Sequence, residues 1–99
     1  MYIIREVLNC KPGKVRPLID KFRTLSSAVQ ATGRPPLRLL TDVGGAPFWT
    51  LIAEVTVEAV DEFFELEQKL MANESVRNAM NGYHDLVESG RREIYHIES

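Results

Sequence analysis

The sequence predicts an α+β domain: an antiparallel sheet of four strands with two helical stretches on one face, in the order βαββαβ. Three observations predict it. A strand-like run at Tyr2–Cys10 passes through Lys11-Pro12-Gly13 into an amphipathic helical pattern. Two further strand-like runs are joined by a short glycine-containing link. A second helical stretch then leads to a closing strand-like run at Arg92–Ile97.

Each element has a local reason. Tyr2–Cys10 is rich in Ile, Val, Leu and Tyr and stops at a Pro-Gly turn. From Lys14 to Thr32, Val15, Leu18, Ile19, Phe22, Leu25 and Val29 recur every three or four positions and form one apolar stripe. Pro17 is tolerated because it falls in the first turn, where backbone N–H groups lack helical partners. Gly33 suits the C-terminal cap, and Pro35-Pro36 forbids continuation. Leu37–Val43 and Phe48–Val55 read as strands joined through Gly44-Gly45-Ala46-Pro47. Thr56 is the expected cap of the next helix, which buries Val60, Phe63, Phe64, Leu70 and Met71. Asn73 restarts the helix, carrying Val76, Met80, Tyr83 and Val87 at helical spacing until Gly90 ends it.

The order fits a ferredoxin-like layer over residues 1–99, a single domain, since 99 residues leave little room for two cores. A sheet with one solvated face shows clean alternation of apolar and polar residues. Phe48-Trp49-Thr50-Leu51-Ile52-Ala53 does not alternate, and the first strand sets Tyr2, Ile4 and Leu8 against Ile3 and Val7. Both faces therefore read as buried. Helices cover one; the same face of a second copy would cover the other, which makes a homodimer the expected partner.

Composition narrows the function. A net charge of -2 argues against a nucleic-acid partner, which calls for a basic field. No apolar stretch approaches the roughly 20 residues that span a bilayer, and charges at Arg5 and Glu6 come too early for a signal peptide, so a cytoplasmic protein is expected. Cys10 is the sole cysteine, which excludes an internal disulfide and a cysteine-rich metal site. The two histidines, His84 and His96, lack metal-ligand spacing, so no metal and no cofactor is expected.

Arg5-Glu6-Val7-Leu8-Asn9-Cys10-Lys11-Pro12-Gly13-Lys14 resembles the opening of NIPSNAP-like domains, where a strand ends in a similar Lys-Pro-Gly turn. Ser89-Gly90-Arg91-Arg92-Glu93-Ile94-Tyr95-His96-Ile97 resembles the last strand of that group and of antibiotic-biosynthesis-monooxygenase-like domains. Both belong to the dimeric α/β-barrel superfamily. The resemblance implies that fold and a ligand-sized cavity between sheet and helices. The chain departs from the NIPSNAP-like pattern at Glu6 and Leu8, where Arg and Tyr are typical, and at Ala53, where Trp is frequent. Glu6, Phe64 and Met80 stand where haem-degrading members carry Asn, Trp and His, which argues against haem degradation.

Candidate site residues follow. Glu6 lies on the expected central strand, where a poorly partnered carboxylate would suit a general base. The competing reading is a salt bridge, with Arg92, Arg38 or a partner chain as candidate partners. Trp49, Phe64, Tyr83 and Tyr95 are candidate cavity walls, with His84 and His96 beside them; core packing and surface exposure are the competing readings. Two functions stay open: a small aromatic or apolar ligand bound in a cavity, with cofactor-independent monooxygenase-like chemistry as its catalytic form, or a non-catalytic binding or assembly module.

Overall fold

The computed structural model describes residues 1–99. It contains β1 (Tyr2–Cys10), α1 (Val15–Ala31), β2 (Arg38–Thr41), β3 (Thr50–Val57), α2 (Val60–Met71), α3 (Glu74–Met80) and β4 (Val87–His96), with a 3-10 turn at Tyr83–Leu86. The strands lie in the order β2-β3-β1-β4, each antiparallel to its neighbour. This is the predicted ferredoxin-like α+β fold, with β1 central.

Strand register separates the two faces. Ile4 pairs with Val55, Glu6 with Ala53 and Leu8 with Leu51. These residues share the face that the helices cover, because side chains two apart point the same way. On that face Cys10, Leu18, Ile19, Phe22, Leu51 and Ala53 form one core cluster, and Ile4, Val57 and Phe63 form a second. Ile4, Leu18, Val29 and Leu51 are fully buried. Each such aliphatic side chain contributes about 1.5–3 kcal/mol from burial.

Local signals explain the joins. Pro12-Gly13 makes the first turn: Gly13 takes φ 76°, and Lys14 N–H donates to Lys11 C=O at 3.0 Å. Gly33 follows α1 with φ 93°, as a left-handed residue past a helix end should. Asn73 caps α3, its Oδ1 accepting from Val76 N–H at 3.2 Å.

Four boundaries differ from the sequence reading. The β2–β3 connection spans Asp42–Trp49, so Phe48 and Trp49 precede the strand. Trp49 adopts φ 65°, which breaks extended backbone. Asp42 and Thr50 close the loop instead: Thr50 N–H donates to Asp42 Oδ1 at 2.8 Å, and Thr50 Oγ1 to Pro47 C=O at 2.7 Å. Thr56 does not cap α2. It and Val57 extend β3 by pairing with Ile3 and Tyr2, and α2 starts after Ala59 without a side-chain cap.

The late helix ends at Met80, with Gly82 in the left-handed region at φ 80°. Tyr83 therefore sits on the 3-10 turn, and Val87 already pairs with Cys10 in β4. Gly90 is a strand residue and no helix end. A Cβ there would lie 2.9 Å from Leu8 Cδ2, the tip of a flexible side chain, so a larger residue fits only if that tip shifts.

The open face of the sheet is also more polar than the sequence reading held. Ile3, Val7, Leu40 and Ile52 share it with Arg5, Asn9, Glu54 and Arg38, once Phe48 leaves the strand.

Candidate functional site

Between the sheet and the helices lies a cavity of about 260 Å³. Ile4 and Leu8 of β1 and Ala53 and Val55 of β3 supply its sheet side, while Phe22 of α1 and Phe63 of α2 close over it. Fifteen of its eighteen lining residues are hydrophobic, so the space favours an apolar body.

Three charged side chains complete the lining: Glu6, Glu67 and Arg92. Glu6 and Arg92 are register partners on β1 and β4. Arg92 Nε donates to Glu6 Oε1, and Arg92 Nη2 donates to Glu67 Oε2 on α2 at 2.6 Å. The guanidinium also lies 4.7 Å from the Phe63 ring centroid, a cation–π contact. Burial pulls the Arg92 pKa down, but the hydrogen bonds and charges of Glu6 and Glu67 outweigh it and leave it raised. The guanidinium thus stays charged. Glu6 is engaged in a salt bridge, the competing reading of that residue, with Arg92 and not Arg38 as its partner.

Solved structures match this architecture over nearly its whole length. A NIPSNAP-like domain protein from Burkholderia xenovorans superposes with a TM-score of 0.79 at 15% identity, over 99% of this chain and 85% of its own. A NIPSNAP family protein from Agrobacterium tumefaciens gives 0.78 at 20% identity, over 95% and 82%. The fold is NIPSNAP-like. An antibiotic-biosynthesis-monooxygenase-like protein from Nitrosomonas europaea shares it with a TM-score of 0.74 at 10% identity, over 100% of both chains. No family model matches the sequence, and no curated protein matches it. Identities this low speak for the NIPSNAP-like fold and not for an activity.

Within this NIPSNAP-like fold the candidate residues disperse. Glu6 and Tyr83 line the cavity. Trp49 instead lines a wider, more open hollow of about 550 Å³ between the start of α1 and the β2–β3 loop, beside Phe48 and Arg16. Phe64 is 41% exposed and meets Phe63 edge-on. His84 is exposed and lies against Tyr83 in a tilted pair, with ring centroids 4.0 Å apart and planes at 34°. Tyr95 lies on the open face, its hydroxyl donating to Glu93 Oε1 at 3.0 Å. His96 is exposed at the end of β4, with Nδ1 2.7 Å from Glu98 Oε2. None of these last four lines the cavity, and no three His, Cys, Asp or Glu side chains are grouped to hold a metal ion.

The sequence marks Arg92 only as a candidate partner for Glu6 and gives Glu67 no role in a site. Neither had been assigned to the cavity. Their juxtaposition depends on the β1–β4 register and on where α2 lies, and no local pattern encodes either.

Proposed function

We propose that this protein binds a small apolar or aromatic molecule in the cavity between sheet and helices. The observation that carries this reading is the apolar lining with a single charged network, Glu6–Arg92–Glu67. Apolar cavities of about 150 Å³ accept a benzene ring, so a space of about 260 Å³ suits one substituted ring or two fused rings. Binding is favoured over turnover because Glu6, the one candidate base, is engaged by a guanidinium. A cytoplasmic setting belongs to the same reading, since a lone, buried, free cysteine suits a reducing compartment. Naphthalene titrated into the protein, followed by backbone amide shifts, tests it. Shifts confined to residues such as Leu8, Ala53 and Phe63 are expected. Shifts elsewhere only, or none at saturation, reject the cavity as a site.

We also propose a homodimer across the open sheet face. Leu40, Ile52 and Val7 form one apolar row across β2, β3 and β1. Beside it, Arg38, Glu54, Arg5 and Glu93 form a second row across all four strands, with alternating sign. A two-fold axis along the strands would set β2 over the partner's β4 and β3 over its β1, so each charge in that row meets its opposite. An axis across the strands would set like over like, which is unfavourable. Light scattering coupled to size exclusion tests it; a species of 11.2 kDa alone at micromolar concentration rejects the dimer.

A further inference from the structure

The charged part of the cavity lining is unbalanced. It holds two carboxylates, Glu6 and Glu67, against one guanidinium, Arg92. Arg92 engages one oxygen of each carboxylate, leaving Glu6 Oε2 and Glu67 Oε1 without a protein donor. The Phe63 ring lies against the guanidinium at 4.7 Å.

We infer that the cavity selects ligands with an apolar body and a cationic, hydrogen-donating head, the class of lipophilic amines, and discriminates against carboxylates and phosphates. This rests on the cavity being a ligand site. An ammonium brings the network from one net negative charge to neutrality and donates to the two free carboxylate oxygens. A carboxylate ligand makes the network doubly negative and must compete with Glu6 and Glu67 for the donors of Arg92. Glu6 and Glu67 are partly exposed, at 30% and 42% of their side chains, so an incoming head reaches them without unfolding the helix layer. The same exposure makes the preference sensitive to salt.

Three probes with one naphthyl ring system test this: naphthylmethylamine, naphthylmethanol and naphthoate, each titrated calorimetrically into the whole protein. The amine is expected to bind roughly ten-fold tighter than the carboxylate or better, about 1.4 kcal/mol or more, with the alcohol between. The gap is expected to narrow in about 1 M salt, where screening is nearly complete, and in Glu67→Gln, which removes one negative charge from the surface of α2. Equal affinities, or a preference for naphthoate, overturn the inference while leaving the cavity as a ligand site. Failure of all three probes to bind overturns both.

Discussion

Arg92 stands directly across from Glu6 in the β1–β4 register, and its Nε donates to Glu6 Oε1. The same guanidinium reaches Glu67 on α2, so one side chain ties the sheet to the helix that covers it. Arg suits this position because its planar fork serves two carboxylates at once, which a lysine ammonium does with less geometric order.

Arg92→Ala leaves Glu6 and Glu67 without their common partner and strips the contact over Phe63. The three side chains are 30–42% exposed, so solvent takes up part of the loss. A destabilisation of about 1 kcal/mol is expected, well below the cost of breaking a buried pair. Arg92→Lys should recover part of it. Urea denaturation of the three proteins measures both.

Cys10 should report on alkaline stability. Burial raises its thiol pKa above the ordinary 9.0, and the charge of Asp42 raises it further. A folded-state pKa above the unfolded value means that the native state holds the proton longer. Stability is therefore full below about pH 9 and falls as pH rises from the unfolded value through the folded one. Cys10→Ala should lose a constant amount of core packing and show a shallower decline across that window. A wild-type decline no steeper than that of the variant would rule the thiol out as its cause. Native Cys10 is also expected to react slowly with a thiol reagent at neutral pH, and quickly once unfolded.

Gly90 tests the close approach of β4 to β1. An added Cβ meets Leu8 Cδ2 at 2.9 Å and Val7 C=O at 3.4 Å. The Leu8 tip can move, so Gly90→Ala is expected to cost about 1 kcal/mol. Gly90→Val adds bulk that the tip cannot clear and should cost more. Thermal melts rank the series; an unchanged melting temperature in Gly90→Val would contradict the crowding.

The alternating row on the open face predicts how its charges behave in the proposed dimer. Arg38→Glu should weaken association at least about ten-fold, equivalent to about 1.4 kcal/mol. Adding Glu93→Arg should restore part of the loss only if β2 of one copy faces β4 of the other. Sedimentation velocity across a concentration series reads both, with urea melts run alongside to separate association from stability.

Much of the architecture was legible in the sequence. The period of Leu18, Ile19, Phe22, Leu25 and Val29 marked α1, and Gly33 marked its end, because helix burial and left-handed caps leave local traces. Asn73 was legible as the point where the helix restarts, and the structure shows that it does so by capping α3. The misread boundaries lie where two local signals compete. Thr56 can cap a helix or pair in a strand, and pairing with Ile3 prevailed. Phe48 and Trp49 have strand-forming side chains, but the left-handed backbone at Trp49 keeps them out of β3. Tyr83 and Val87 fit helical spacing, but Gly82 and the pairing of Val87 with Cys10 divide them between a turn and a strand.

The site was less legible. Glu6 was singled out because an acid on a central strand must meet something, which elementary electrostatics requires. That it meets Arg92, with Glu67 beside it, follows from residues far apart in the chain brought together by strand register and helix docking. The sequence by itself determined the element order, the apolar stripes and the turn glycines, since each is a matter of neighbours within one turn or one strand. Only the tertiary structure decided which side chains line the cavity, that five of the candidate aromatic and histidine residues stand away from it, and that the open face carries an ordered row of charge. Those facts depend on register, and a slip of one residue would send every side chain of a strand to the opposite face.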